Sequence, residues 1–319
     1  MVGFLIVILA ACFFCAQNLI VRILFNSSAI FGVFETGGFV TPTLQNSFLL
    51  LFMRMAVVVP LMSALNPRLY SRTWQEIGQL KQTEYRPLLL RAIAGGGFMF
   101  LYLALLYVSI GLIPTGIALT LFFTYPIFTA LFSWKLFGDR PTSFRWIIMG
   151  VILLGSFLTI PQGQSVESSI NPVGIALGFA SGIAHAFYVV NAQKSFETFH
   201  PVPFTWINFM VALVLSTLSL LIGWNAVDEI NWIPLWMGGL FSALVTFVGH
   251  VLNNIGIRQI GATSAAMIGS TNPVLTVIVA WLIIQETLDS SQIAGVVLVT
   301  LSVALLSQER RFSKVSSKH

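Results

Sequence analysis

The sequence predicts an all-α polytopic membrane protein of ten transmembrane helices, arranged as two inverted five-helix repeats. Three observations carry that expectation: the chain is too apolar for a soluble surface, one stretch occurs twice, and the basic residues fall on one side of the spans. Of 319 residues, 56% are apolar and only 8% charged, whereas soluble domains carry about a quarter charged residues. The repeated stretch is 113–139, IPTGIALTLFFTYPIFTALFSWKLFGD, which an offset of 147 positions lays on 260–286, IGATSAAMIGSTNPVLTVIVAWLIIQE. Ile113/Ile260, Ala118/Ala265, Thr124/Thr271, Pro126/Pro273, Thr129/Thr276 and Trp134/Trp281 are identical, and both copies end in a carboxylate, Asp139 and Glu286. A proline and a terminal acid in register within apolar runs point to two related halves.

A hydrocarbon core about 30 Å thick needs roughly 20 apolar residues per helix. Runs of that length lie at 2–25, 46–65, 86–109, 113–137, 143–161, 172–196, 202–224, 233–257, 260–284 and 290–307. The first repeat is 1–161, an inter-repeat loop of turn-type composition 162–171, the second repeat 172–307, and a basic, disordered tail 308–319. Residues 26–45 read as a long connection with Glu35 and Gly37-Gly38, and 66–85 as a polar, basic loop.

The formal charge of +5 reads as topology rather than nucleic-acid binding. With a cytoplasmic N-terminus, the inner segments hold Arg68, Arg72, Lys81, Arg86, Arg91, Lys135, Arg140, Arg145, Lys194, Arg258, Arg310, Arg311, Lys314 and Lys318. Only Arg22 falls outside, and Arg54 lies within a span. The positive-inside rule then puts both termini in the cytoplasm, in an expected bacterial plasma (inner) membrane. Five helices per half is odd, so the halves enter the membrane oppositely, the architecture that suits alternating access.

The pairing of small residues, mid-helix proline, helix-end acid and a glycine in the next helix (TYPIFTALFSWKLFGDRPT then Gly150; TNPVLTVIVAWLIIQETLD then Gly295) resembles the EamA-type drug/metabolite transporters. Phe52-Met53-Arg54 also sits where that family commonly carries an arginine in its second helix. One departure is spacing: Gly295 follows its acid by nine residues and Gly150 by eleven. The resemblance implies ten helices, two inverted repeats and a central cavity lined by spans 1, 3, 4, 6, 8 and 9, with a substrate range too broad to name one solute.

Each candidate residue has a packing role open to it beside a functional one. All eleven acids fall in loops, helix ends or the tail, so a carboxylate proton relay at the midplane is unsupported, leaving facilitated movement or coupling through histidine. Asp139 and Glu286 read as helix-end or gate contacts. Arg54 lies about 12 Å into its span at 1.5 Å per residue. It is either a counter-charge for an anionic or zwitterionic solute or a structural arginine bonded to neighbouring carbonyls. His185, Tyr188 and Asn191 share a face of span 6, which also carries the close-packing pattern Gly174, Gly178, Gly182. Span 8 carries a polar stripe of Ser242, Thr246, His250 and Asn253, with Asn254 beside it. Cavity lining and interhelical hydrogen bonding both fit that stripe. Asn18 with Gln17 could complete a polar wall. Tyr102, Tyr107 and Trp206 are aromatic candidates for stacking or packing.

Pro126 and Pro273 each remove a backbone donor and free a carbonyl one turn earlier, at Phe122 and Gly269, making matched hinges or static kinks. Before them stand Tyr125 and Asn272 as paired polar residues. Trp224, Trp232 and Trp236 sit at span ends as interfacial anchors.

The substrate-binding candidates are thus Asn18, Arg54, Tyr102, Tyr125, His185, Tyr188, Asn191, Thr246, His250, Asn253 and Asn272, with no catalytic or metal-binding residue and no cofactor. Cys12 and Cys15, the two cysteines, have CxxC spacing in an apolar run that offers no polar setting to activate a thiol. Leu9-Ala10-Ala11-Cys12 looks like a lipoprotein cleavage signal, yet without the usual preceding basic residues an uncleaved first helix is expected. HExxH, GxSxG and paired aspartates are absent from the sequence, so an intramembrane enzyme is disfavoured. The expected function is a carrier, exporter or facilitator, for a small polar or zwitterionic organic solute such as an amino acid. A non-transporting receptor or scaffold is the remaining alternative. Expected partners are a small-molecule solute and the lipid bilayer, with no nucleic acid, and a homodimer is compatible with the sequence.

Overall fold

The computed structural model describes residues 2–41, 43–113, 115–158, 171–223, 230–283 and 289–316. The chain is almost entirely helical. In order come α1 (Val2–Phe25), a hairpin of β1 (Ser27–Ile30) and β2 (Phe34–Gly37), α2 (Leu44–Leu69), α3 (Thr73–Gln79), a 3₁₀ turn (Thr83–Tyr85) and α4 (Arg86–Leu112). There follow α5 (Thr115–Phe122), α6 (Tyr125–Phe137), α7 (Ser143–Leu158), α8 (Pro172–Ser195), α9 (Pro201–Gly223), α10 (Trp232–Ile260), α11 (Ala262–Gly269), α12 (Asn272–Ile283) and α13 (Ser290–Ser316). Among the described residues, eight stretches are long and apolar enough to cross a membrane, counting Ile117–Phe137 and Ala262–Ile283 as one each, and Ser143–Leu158 and Ser290–Leu305 are shorter apolar helices. The protein is a polytopic helical membrane protein.

Local chemistry sets several helix ends. Thr43 caps α2 by accepting from the Asn46 amide, and Asn171 caps α8 by accepting from the Val173 amide at 2.9 Å, with Pro172 starting the helix. Both arrangements satisfy amides that an α-helix otherwise leaves unpaired at its start. Gly138 stops α6 in the left-handed conformation (φ 74°), its amide returning to the Trp134 carbonyl, a backbone shape that glycine adopts without a Cβ clash.

Four elements differ from the sequence expectation. The connection 26–45 contains an antiparallel hairpin, with Ser27 opposite Gly37 and Ile30 opposite Phe34. Its tip reaches the end of α12, where the Phe31 amide donates to the Ile283 carbonyl at 2.6 Å. The expected continuous spans 113–137 and 260–284 are each split, into α5 and α6 and into α11 and α12. The tail expected to be disordered instead continues α13 as far as Ser316. The inter-repeat loop over 162–170, Trp224 and Glu286 lie outside the described residues.

The helices pack in matched pairs: α1 lies along α10, α4 along α8, α2 against α9 and α7 against α13. The glycine stripe of α8 is used for close approach. Its Gly174 carbonyl accepts from the Ser109 hydroxyl of α4 at 2.8 Å, and a Cβ on Gly182 would stand 2.9 Å from the Phe122 carbonyl oxygen and 3.2 Å from that of Leu121. Those are backbone atoms of the α5–α6 break, so only glycine lets α8 press on the carbonyl that Pro126 has freed.

At one end, the segment after α2 meets the start of α9. The Tyr70 hydroxyl donates to Glu76 Oε1 at 2.5 Å, the Tyr70 and His200 rings stack at 3.8 Å and 7°, and the His200 amide donates to Glu76 Oε2 at 3.4 Å. Burial, and then the positive charge of Arg258, push the His200 pKa below its ordinary value, against the opposing pull of Glu76. The unfolded chain therefore binds more protons at this site than the folded one. The contribution of neutral His200 is complete above about pH 6.5, the unperturbed value, and is lost as pH falls through the lower folded pKa. Between pH 7.5 and pH 5.5, roughly the range around that value, the thermal midpoint of the wild type is expected to fall further than that of His200→Gln. Parallel profiles for the two proteins would refute this.

Candidate functional site

A cavity of about 160 Å3 lies among α1, α4, α5, α6, α8, α10, α11 and α12. Taking each split helix as one, these are the six spans that the family resemblance implies. The volume is about five times the ~30 Å3 that one water occupies in the liquid, room for a small metabolite.

Two unlike walls face each other. Gln17 and Asn18 of α1, Asn253 of α10 and Asn272 of α12 supply amides, while Tyr102, Phe122, Tyr125, His185 and Tyr188 form an aromatic and imidazole wall on α4, α5, α6 and α8. His250 of α10 and Phe14 of α1 also line it, with ring centroids 5.0 Å apart. No Asp, Glu, Lys or Arg is among the lining residues.

The helix breaks and helix registers aim these side chains. Tyr125 opens α6 at the break, and its hydroxyl crosses to donate to the Ala266 carbonyl of α11 at 3.2 Å. Its counterpart Asn272 opens α12, where Asn18 Nδ2 donates to Asn272 Oδ1 at 3.2 Å and to Thr276 Oγ1 at 3.3 Å. Each first residue after a break thus ties its helix to another element at the cavity. On the facing side the His185 ring lies 4.4 Å from Tyr125, 4.6 Å from Tyr102 and 5.3 Å from Phe122.

Of the residues singled out in the sequence, Asn18, Tyr102, Tyr125, His185, Tyr188, His250, Asn253 and Asn272 come together around this cavity. Three do not line it. Asn191 lies one turn beyond Tyr188 and donates to the Arg91 carbonyl of α4 at 2.8 Å. Thr246 stands one turn before His250 and donates to Gln17 Oε1 at 2.7 Å, orienting a lining residue rather than lining itself. Arg54 is 3% exposed on α2, its Nε has no hydrogen-bond partner, and no carboxylate among the described residues pairs with it. Pro126 and Pro273 stand just inside the starts of α6 and α12. Asp139 is exposed and follows the Gly138 cap of α6, a helix-end position. Trp206 packs, donating to the Ser63 hydroxyl at 2.8 Å.

Two supporting residues carry more than the sequence suggested. Asn254 is fully buried, accepts from the Tyr188 hydroxyl at 3.1 Å and donates to Thr205 Oγ1 at 2.8 Å, joining α8, α9 and α10 behind the cavity. Gln193 of α8 accepts from the Ala262 amide that starts α11, a role with no sequence signal. Tyr188→Phe would leave the Asn254 carbonyl oxygen buried without its donor, which costs about 1–3 kcal/mol. A lowered thermal midpoint in detergent is expected, and an unchanged one would show the network to be incidental.

A model of the EamA-like transporter family matches residues 23–160 and 172–308. The uncharacterized transporter sll1319 of Synechocystis sp. is 55% identical over 310 residues, covering 97% of this chain and 94% of its own. The threonine/homoserine exporter RhtA of Escherichia coli K12 is 28% identical over 230 residues, 72% of this chain and 74% of that protein. A solved crystal structure superposes with a TM-score of 0.72 over 98% of this chain and 99% of its own, at 15% identity, a likeness of fold alone.

Proposed function

Because this chain belongs to the EamA-like transporter family, we propose that it is a carrier moving a small polar or zwitterionic organic solute, of amino-acid size, by alternating access. The observation that carries the reading is the cavity itself, which collects residues from six separated spans and offers amides, hydroxyls and rings but no formal charge. An uncharged lining favours a solute of zero net charge, because an ion would enter without a compensating partner. The RhtA relative exports threonine and homoserine, which are zwitterions of suitable size, so amino acids head the list of solutes.

Two inverted five-helix repeats, 1–161 and 172–307, are part of this reading, with a cytoplasmic tail and both termini inside a bacterial plasma membrane. The matched packing of α1 on α10 and α4 on α8 supports it, since exchanging the halves turns one pair into the other. So does the basic residue distribution. Solute binding is assigned to Asn18, Tyr102, Tyr125, His185, Tyr188, His250, Asn253 and Asn272, with the two breaks as hinges. Purified protein in liposomes, offered a panel of neutral amino acids and related metabolites, tests the reading by counterflow. Failure of every solute to move, together with cysteine labelling that reports one fixed accessibility pattern, would overturn it in favour of a receptor or scaffold.

A further inference from the structure

The cavity lining holds no charged side chain, yet one full charge stands behind it. Arg54 of α2 is 3% exposed, and its Nε has no hydrogen-bond partner. A guanidinium keeps its proton in any protein setting. Among the described residues, the ionisable groups that bear on it are Tyr102 and Tyr107 of α4 and His250 of α10, none of which is negative at neutral pH. A positive charge inside a membrane span is costly, and pairing with an acid is a usual compensation. Without such a partner, the charge of Arg54 acts on whatever lies around it.

That charge reaches the cavity without touching it. The α2 helix packs along α9 and α10, and the axes of packed helices lie about 8–10 Å apart, so Arg54 stands one helix layer behind the wall. Tyr102 and His250 both line the cavity, and both interact electrostatically with Arg54. At about 10 Å and an effective dielectric constant of about 20, two unit charges change an equilibrium roughly tenfold. Salt screens a buried charge far less than an exposed one. A zwitterion of zero net charge also responds to this field. Its carboxylate is drawn toward α10, on which α2 packs. Phe122 and Tyr125 stand on α5 and α6, which pack against α8, and offer π faces to its ammonium.

We propose that Arg54 is a charge-selectivity residue: from behind the cavity wall its unpaired guanidinium holds the cavity at positive potential, so the carrier accepts solutes that bear a carboxylate and refuses organic cations. This rests on the carrier reading above and deepens it by naming the charge class of the solute. No contact between Arg54 and the solute is required, which reconciles a buried arginine with a lining free of charge.

The test uses the full chain with Cys12→Ala and Cys15→Ala, and a single thiol placed in the cavity by Asn18→Cys, since Asn18 is an exposed lining residue. Two methanethiosulfonates of similar size label this thiol, one carrying a sulfonate and the other a trimethylammonium group, and the ratio of their rates cancels the reactivity of the thiol itself. Relative to the same ratio on 2-mercaptoethanol, the anionic reagent is expected to gain about tenfold with Arg54 in place. It is expected to lose that gain in Arg54→Met, which keeps side-chain bulk without the charge, with Arg54→Gln as the second variant should the first not fold. A ratio equal to that of 2-mercaptoethanol, or one unchanged when the charge is removed, would overturn the proposal. Labelling needs no transport, so the two readings fail separately. In liposomes at about pH 6, where the amine of L-threoninamide is protonated, the wild type is expected to take up L-threonine about tenfold faster than the amide, and Arg54→Met to narrow that gap. Equal uptake of the two by the wild type would overturn the selectivity and leave the carrier reading intact. A positive labelling ratio with neither solute moving would uphold the positive cavity and remove the carrier.

Discussion

Gly182→Val is expected to destabilise the protein by about 1–3 kcal/mol or more, the range found when methyl groups are forced into a packed interior. The cost follows from what the new atoms meet. A Cβ at this position lies 2.9 Å from the Phe122 carbonyl oxygen, 3.2 Å from the Leu121 carbonyl oxygen and 3.2 Å from Thr124 Oγ1. None of these is the free end of a flexible side chain. The two carbonyls belong to the α5–α6 break, and the Thr124 hydroxyl is itself held on the Leu121 carbonyl at 2.6 Å. The α8 helix must therefore move away from the break, opening its contact along the aromatic wall that carries His185. Gly97 of α4 provides the control, because a Cβ there meets nothing within 4 Å. Gly97→Ala is expected to be neutral or slightly stabilising, since alanine exceeds glycine in helix propensity by about 1 kcal/mol. Thermal unfolding in detergent reads both, and equal midpoints for the two variants would show that the close approach at Gly182 does not matter to stability.

The membrane class and most of the spans could be read from composition and run length, because crossing a bilayer demands both. The repeat went further than a marker of duplication: the identity Thr124/Thr271 has a physical cause. In each copy the threonine amide and hydroxyl both turn back to the carbonyl three residues earlier, Leu121 at 3.2 and 2.6 Å and Ile268 at 3.0 and 2.7 Å. The prolines signalled a kink, but the threonine closure that accompanies full separation into two helices in both copies is not revealed by composition. The hairpin was hidden in a connection read for its polar and glycine residues. Its signal was Ala29 to Phe34, a β-branched and aromatic run around Gly32. Among site residues, periodicity gave the correct face of α10 but not its depth. Thr246, His250 and Asn253 share that face, yet the cavity is short along the helix axis, so Thr246 meets Gln17 instead. Arg54 is a related case, since position within a span reports depth and says nothing of which neighbour the guanidinium meets.

The double variant Pro126→Ala, Pro273→Ala is expected to slow solute exchange by roughly tenfold to a hundredfold without lowering the thermal midpoint. Each proline denies a donor to the carbonyl four residues back, Phe122 in one copy and Gly269 in the other. Alanine would return that amide and remove the ring that crowds the turn, favouring a continuous helix through the break. One restored backbone hydrogen bond contributes about 0.5–1.5 kcal/mol, and 1.4 kcal/mol corresponds to a factor of ten. Two such bonds therefore bias the breaks toward straight helices by enough to change a turnover rate, provided the breaks must bend as the cavity changes its open side. The geometry links the two copies: Tyr125 at one break reaches the Ala266 carbonyl on the segment before the other, so movement at either is felt at both. A static kink makes the opposite forecast. If the breaks only accommodate packing, the double variant keeps the wild-type exchange rate at whatever stability it attains, and that single result removes the hinges from the mechanism.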